Sequence, residues 1–364
     1  MKILILSDAR SIHTKRWVSA LREKGDEVVL FSLIPADDDF FTVSGIRTYY
    51  FNLFRYKSRL KGLYMHLRAA FFLRKVLHAE RPDILHAHYI TSFGLVGALS
   101  LWHPFVISLW GSDIYDFPHE SLFNRLSVKY VLKKADRILS TSRNMASEAA
   151  RYTGKDILVT PFGVDTSVFR RIPLPEKDTI VIGNVKALSP KYGIDCLIRA
   201  FAILCSMCPG RDMRLVIAGK GPDREKLETL AADLGVASRI DFAGFVRHDR
   251  LPELYSSFDI AAFLSYKESF GVSAVEAMSC SCPVVASDTD GFTEVVEDGV
   301  TGIIVGRGDP GRAAEALRTL VMDRELRLSM GKKGRERVCR LYEWDDNVRY
   351  MRSIYSDLTD GNGK

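Results

Sequence analysis

The stretch Glu268-Ser-Phe-Gly-Val-Ser-Ala-Val-Glu276 decides how this chain is read. It holds two carboxylates, and the glycine and apolar residues between them have the pattern of a loop that enters a helix. In front of it stands Asp259-Ile-Ala-Ala-Phe-Leu-Ser, an apolar run of strand length, and behind it Pro283-Val-Val-Ala-Ser, a second such run. Strand, loop, helix and strand in that order make a βαβ crossover. Its first loop lies at the carboxyl edge of a parallel sheet, where open α/β sheets bind ligands.

With a helix beginning near Phe270, the amides of Phe270, Gly271 and Val272 have no intrahelical partner, and such an end favours anions. Glu276 then lies about 9 Å further along the helix axis, so that one carboxylate stands on each side of a bound diphosphate. A carboxylate is a poor phosphate ligand and a good acceptor for sugar hydroxyls, each charge-assisted bond contributing roughly 1.5–3 kcal/mol. The segment therefore reads as a diphosphate site with a hexose near Glu268 and a ribose near Glu276. The ordinary alternative is a first-turn Glu that complements the helix dipole and a second Glu on a solvated face.

Three further loops gather at the same predicted edge. Gly183-Asn-Val-Lys186-Ala-Leu-Ser-Pro-Lys191-Tyr-Gly193, Gly219-Lys-Gly221-Pro-Asp and Gly244-Phe245-Val246-Arg247 each follow a strand, and their glycines are expected to let backbone approach a ligand closely. Lys186 and Lys191 supply the positive charge that a diphosphate needs.

The first half repeats the alternation. Lys2-Ile-Leu-Ile-Leu-Ser is a strand, a polar loop runs from Asp8 to His13, and a helix ends at Gly25. That loop lacks G-x-G-x-x-G, which argues against a dehydrogenase. Asp83-Ile-Leu-His-Ala-His88 and Phe105-Val-Ile-Ser-Leu-Trp-Gly111-Ser-Asp113 are strands whose ends meet at one edge, making His88 and Asp113 cleft candidates. A histidine satisfied by backbone and an aspartate that caps a helix are the plain alternatives. Residues 51–82 are basic, with Arg55, Lys57, Arg59, Lys61, Arg68, Arg74, Lys75 and Arg81 against Glu80 alone. Leu60, Leu63, Tyr64, Leu67, Phe71, Phe72, Val76 and Leu77 recur there at helical spacing. Such a helix suits an anionic membrane surface or, equally, the rim of a domain.

Composition sets the outer bounds. A chain of 364 residues suits two domains, and its formal charge of +6 is uneven: residues 1–165 hold 23 Lys/Arg against 16 Asp/Glu. The most apolar window, 90–110, is broken by His103 and Pro104, so no membrane span is expected. The amino terminus reads as a strand and has too short an apolar run for a signal peptide, which implies a cytoplasmic protein. The six cysteines suggest no disulfide framework, and Cys205-x-x-Cys208 with Cys280-x-Cys282 lacks the context of a zinc knuckle. Asp37-Asp-Asp39 ends a strand as a solvated turn, so no metal site is expected. Lys332-Lys-Gly-Arg-Glu-Arg reads as a solvated helix face, without a nucleic-acid partner.

Lys186, Lys191-Tyr-Gly193, Gly219-Lys-Gly-Pro222, Gly244-Phe245, the Glu268/Glu276 pair, Pro283-Val-Val-Ala and Gly299-Val-Thr-Gly-Ile-Ile-Val follow one another as in retaining glycosyltransferases of the GT-B fold, family 4. The chain resembles that family closely over its second half and loosely over its first. The resemblance implies an α/β protein of two facing Rossmann-like doubly wound domains with a cleft between them. Residues 1–163 would bind the acceptor, 164–343 the nucleotide sugar, and 344–364 would form a helix returning to the first domain. It further implies Glu276 as ribose ligand, Glu268 as donor-hexose ligand and Lys191 in the diphosphate clamp. The amides of Phe270 to Val272 would face phosphate, and Gly244, Phe245 and Val246 would line the base. Lys186 stands where many members carry Arg, and Trp110-Gly111 where many carry His-Gly, leaving Asp113 or His88 to act for the missing histidine.

The expected reaction is retaining, metal-independent transfer of a hexose from a nucleoside diphosphate sugar to an acceptor hydroxyl, in polysaccharide, lipopolysaccharide or glycolipid biosynthesis. The acceptor would be a glycan or lipid-linked molecule, and the enzyme would be cytoplasmic or peripheral on the inner face of the membrane. A nucleotide-sugar 2-epimerase of the same overall fold and a non-catalytic nucleotide-sugar-binding scaffold are the other readings.

Overall fold

A computed structural model describes residues 1–53, 59–175 and 177–360, with 59 and 60 described by backbone alone. Arg55 and Lys57 of the basic stretch lie outside the described residues. The chain divides into two compact units, Met1–Pro161 with Asn347–Lys364, and Phe162–Asp346.

Unit 1 is built on seven parallel strands: β1 (Lys2–Leu6), β2 (Glu27–Ser32), β3 (Arg47–Tyr50), β4 (Ile84–His88), β5 (Phe105–Leu109), β6 (Arg137–Ser140) and β7 (Ile157–Val159). Their order is β3-β2-β1-β4-β5-β6-β7. The central strands β4 and β5 are buried along their whole length; β5 reads accordingly as a nearly unbroken apolar run, whereas β4 carries His86 and His88 into the interior. On β1, Ile3 lies between Val28 on one side and Ile84 on the other. The order reverses between β1 and β4, so the loops leaving those two strands diverge and open a crevice at the carboxyl edge. On one face the helices Arg59–Glu80, Ser92–Ser100 and Leu122–Lys134 close a core around Leu4, Phe31, Leu85 and Ile107. Beside the sheet lies the last helix, Trp344–Asp360, whose Tyr355 hydroxyl is 2.6 Å from His86 Nδ1 and whose Arg352 donates to the buried Asp26 at 2.7 Å.

Unit 2 has six parallel strands: β8 (Ile180–Val185), β9 (Met213–Ala218), β10 (Ile240–Gly244), β11 (Ile260–Phe263), β12 (Val284–Ser287) and β13 (Gly302–Val305), in the order β10-β9-β8-β11-β12-β13. Its reversal falls between β8 and β11. The helix Ile194–Met207 shows how the core is made: Ile194, Leu197, Ile198, Phe201 and Leu204 recur every three or four residues and are all buried.

Local boundaries differ from the reading of the sequence. The first helix begins at Ile12, which moves His13 from the loop onto its opening turn, beside Lys15. Lys15 there pairs with Asp38 of the Asp37-Asp-Asp39 run. All six cysteines are free thiols, and among the described residues no helix is long and apolar enough to cross a membrane.

Candidate functional site

In unit 2 the loop after β8 and the loop after β11 lie on one another. Tyr266 N and Lys267 N donate to the carbonyl of Lys191 at 2.8 and 3.3 Å. Gly193 turns with φ +60, and a Cβ on it would sit 1.9 Å from the carbonyl oxygen of Leu264, so glycine alone fits. Gly219 and Gly221 meet the same limit: a Cβ would fall 1.9 Å from the Lys186 carbonyl oxygen and 2.1 Å from that of Leu188. The packing of the loops by itself therefore requires glycine at these positions. Their missing side chains make room for the backbone of a neighbouring loop, whereas a Cβ on Gly244 would meet only the Arg224 guanidinium, at 3.9 Å.

Stacked this way, the loops bring three charged side chains together. Lys186 forms an ion pair with Glu268, both side chains being largely buried. The Lys186 ammonium also lies 5.0 Å from the Tyr192 ring centroid, and that of Lys191 lies 4.6 Å from the same ring. Tyr192 thus gathers two cations beside one carboxylate.

The helix that follows begins at Val272, two residues later than expected. Gly271 is its N-cap with φ +100, and a Cβ there would strike the Phe292 ring at 2.8 Å. Phe270 lies before the helix and is buried, its ring packed on Phe162 and Tyr342. The first backbone bond of the turn runs from Ala274 N to Gly271 O at 2.9 Å, so the amides ahead of it, at Val272 and Ser273, are those left for an anion.

Glu276 is buried on this helix. The Tyr255 hydroxyl donates to its Oε2 at 2.9 Å, while His248 Nε2 stands 3.6 Å from Oε1 and the His248 ring packs on Phe169 at 5.1 Å. Burial, with Glu276 adding to it, holds the Tyr255 hydroxyl well above the ordinary tyrosine range, so it stays a donor. The sequence reading missed His248 and Tyr255, and no spacing in the chain marks either one. Phe245 is 65% exposed with the Lys220 ammonium 5.6 Å from its ring centroid, and Val246 is half-buried; both follow β10 at the far end of the sheet order.

The crevice of unit 1 is a cavity of about 710 Å³ lined by Ser7, Asp8 and Arg10 after β1, His88 and Tyr89 at the end of β4, and Trp110 after β5. His88 is buried, with Nδ1 3.2 Å from Ser7 Oγ and its ring tilted against Trp110 at 4.5 Å. His86, perpendicular to it at 4.6 Å, lies between the Tyr355 hydroxyl and Ser108 Oγ, the latter at 2.8 Å. Burial pushes His86 down to about 3. It pushes His88 well below the ordinary range too, with His86 and His13 adding to the effect, so both imidazoles are neutral.

Asp113 departs from its expected place in a cleft. It is completely buried, and its carboxylate accepts from the amides of Ile90 (2.9 Å), Gly111 (2.7 Å) and Trp110 (3.2 Å). Burial raises it to about 6 against the pull of those amides. It ties the turn after β4 to the turn after β5.

Two doubly wound parallel sheets in one chain, with the crossings just described, are the GT-B architecture of glycosyltransferases. A family model described as glycosyl transferases group 1 matches residues 165–337, and one described as glycosyl transferase 4-like matches residues 2–142. The chain is 35% identical over 327 residues to the D-inositol 3-phosphate glycosyltransferase of Acidothermus cellulolyticus, covering 79% of this chain and 71% of that protein. It is 28% identical over 312 residues to the N-acetyl-alpha-D-glucosaminyl L-malate synthase of Bacillus anthracis, covering 80% of each. Among solved structures, sucrose-phosphate synthase from Thermosynechococcus elongatus superposes with a TM-score of 0.83 at 21% identity, over 99% of this chain and 100% of that one. Anabaena HepE in complex with UDP and glucose superposes with 0.80 at 22% identity, over 98% and 100%. The chain belongs to the group 1 glycosyltransferases, family 4, and is an enzyme of that kind.

Proposed function

We propose that the protein transfers a hexose, with retention of anomeric configuration, from a nucleoside diphosphate sugar to an acceptor hydroxyl in glycan or glycolipid synthesis. The observation that carries this reading is the meeting of Lys186, Lys191 and Glu268 with the start of the helix Val272–Ser279 at the switch point of unit 2. Two cations and two amides suit a diphosphate. An arriving diphosphate competes for Lys186 and releases Glu268 to accept from hexose hydroxyls. Glu276 has Oε2 occupied by Tyr255, which leaves Oε1, on the His248 side, for a ribose hydroxyl. The UDP bound by HepE, a protein of the same fold, favours such a donor.

In the transfer, the bond from the sugar's anomeric carbon to the diphosphate oxygen breaks, and the acceptor oxygen bonds to that carbon from the same side. The acceptor proton passes to the leaving diphosphate, whose growing charge is met by Lys186, Lys191 and the helix end. The cavity of unit 1 receives the acceptor, a glycan or lipid-linked molecule, and neutral His88 orients its hydroxyl in place of the family's histidine. The protein works in the cytoplasm, peripheral on an anionic membrane surface through residues 51–82.

Since protein cations neutralise the leaving group, activity is expected to persist in EDTA; its loss would overturn the cation model. A thermal-shift panel of nucleoside diphosphates and their sugars tests the donor site, because a ligand bound only by the folded state raises stability with [L]/Kd. Absence of any shift at millimolar nucleotide would sink the proposal.

A further inference from the structure

Three helices lie side by side on one face of the unit 1 sheet. Arg59–Glu80 packs on Ser92–Ser100, which packs on Leu122–Lys134. Each leads from the carboxyl edge back to the amino edge, as right-handed crossovers require. Their inner sides complete the core with Leu73, Leu77, Val96, Val128 and Val131.

The outer sides are apolar where a solvated helix is polar. On the first helix Tyr64, Leu67 and Phe71 form one stripe and are 59%, 49% and 62% exposed. On the third, Leu122, Phe123 and Leu126 are 70%, 45% and 56% exposed. Between them, Ser-Phe-Gly-Leu-Val-Gly-Ala-Leu-Ser of residues 92–100 carries no charge at all. Apolar residues scattered singly on a surface need no explanation, but two exposed stripes on one face of a sheet, separated by a helix that is uncharged and largely buried, do.

The rim has one sign. Lys61, Arg68, Arg74 and Lys75 lie on the first helix, and Arg125, Lys129, Lys133 and Lys134 on the third. Among the described residues of all three helices the one carboxylate is Glu80, which is buried and paired with Lys2 and Arg47. Glu120, the last residue of the short helix Phe117–Glu120 before the third helix, accepts from Asn124 Nδ2 at 3.0 Å. Cations also sit against the exposed rings, Arg68 at 5.9 Å from Tyr64 and Lys75 at 4.9 Å from Phe71.

A second copy of this chain would set basic rim against basic rim with no carboxylate to answer it, and a nucleic acid would leave the Leu and Phe stripes in water. Lipid satisfies both features: aromatic and leucine side chains enter the acyl boundary while Lys and Arg stay with the headgroup phosphates. We propose that this face, made by the first and third helices together, docks unit 1 on an anionic lipid bilayer. Gly62 and His66 of the first helix also line the 710 Å³ cavity, so an acceptor entering from this surface is an amphiphile with its polar end toward His88. Only that last step rests on the glycosyl-transfer reading.

The test is co-sedimentation of the full chain with vesicles, without nucleotide, so that its result is independent of the donor site. Binding is expected to phosphatidylglycerol-containing vesicles and to be absent from pure phosphatidylcholine. Phe71→Ser with Leu67→Ser, and separately Leu126→Ser with Leu122→Ser, are each expected to weaken binding at least tenfold with an unchanged circular dichroism spectrum. Arg68→Glu should weaken it about fivefold, whereas Lys333→Glu in unit 2 should leave it unchanged. Equal loss with Lys333→Glu, no binding to anionic vesicles, or loss of a dimer on Phe71→Ser without vesicle binding would each overturn the proposal. A thermal shift by nucleotide with no vesicle binding would overturn the docking face and leave the donor site standing.

Discussion

The switch points of the two units occupy the same position in the same kind of sheet and treat charge in opposite ways. After β8 and β11, Lys186, Lys191 and Glu268 lie on loops at the sheet edge, two cations beside one carboxylate, with two free amides next to them. In unit 1, His86 and His88 on β4 and Asp113 after β5 are buried, the histidines neutral and the aspartate bound to backbone, while the charged pair after β1 that lines the cavity, Arg10 with Asp8, is closed on itself. One edge is suited to a diphosphate and the other to an uncharged hydroxyl. The fold supplies the crevice in both, and depth of burial decides what each can hold.

Lys191→Ala would strain this contrast most. If the cations of unit 2 carry the leaving group, turnover is expected to fall by about two to three orders of magnitude, in line with removal of a preorganised charge contact. Unit 1 should not register the change. Three of the four tryptophans, Trp17, Trp102 and Trp110, lie in unit 1, so its melting is followed by their fluorescence. Turnover within a factor of two of the parent would remove Lys191 from the site.

Acid should separate the units next. The folded His86 sits at about 3, below its usual 6.5, so the stability of its neutral form is complete above pH 6.5 and is lost as pH falls toward 3. At pH 4 this amounts to about 3 kcal/mol, and His88 shifts in the same direction. Asp113, raised to about 6, has the opposite sign: its contribution is present below the ordinary carboxyl range and lost as pH rises through 6. Two histidines outweigh one aspartate, so the tryptophan-detected midpoint is expected to fall between pH 7 and pH 4. Seven of the eight histidines lie in unit 1, and hydrogen exchange should therefore show β4 losing protection before β8. A simultaneous loss would break the contrast.

Glu276→Ala is expected to weaken nucleoside diphosphate binding by roughly 10- to 100-fold, the worth of one charge-assisted bond at about 1.5–3 kcal/mol. Calorimetric titration reads it directly. Unchanged affinity would take Glu276 out of the ribose role.

Much of this is legible in the chain because both faces of a parallel sheet are covered. Runs such as Ile-Leu-Ile-Leu in β1 and Val-Val-Ala in β12 announce themselves, and with them the crossovers and the edge that holds Glu268 and Lys186. What stays hidden depends on distant partners. The helix starts at Val272 because Gly271 turns against Phe292, twenty-one positions on. Gly219 and Gly221 are held to glycine by the carbonyls of Lys186 and Leu188, a constraint that the sequence does not display. Tyr255 sits on the helix before β11, and only the folded chain carries its hydroxyl to Glu276. The exposed Leu122 and Leu126 have the same spacing as core leucines, so exposure cannot be read from them.

Asp113 eludes the sequence for a similar reason: a polar residue after a tight turn gives no sign of its depth. The smallest effect is expected from Asp113→Asn. The two carboxylate oxygens accept from three amides, Ile90 on Oδ2, and Gly111 and Trp110 on Oδ1. An amide side chain keeps one acceptor oxygen and turns an N–H toward a remaining backbone donor. Unit 1 should lose about 1–3 kcal/mol, read as a lower tryptophan-detected midpoint at pH 7, with nucleotide affinity unchanged. The variant also lacks the carboxyl that offsets the histidines between pH 4 and 6, so its midpoint should fall more steeply on acidification than that of the parent. A shallower fall would mean that Asp113 is not the buried, raised carboxyl, and a loss of nucleotide affinity would mean that charge at the unit 1 edge serves the donor after all.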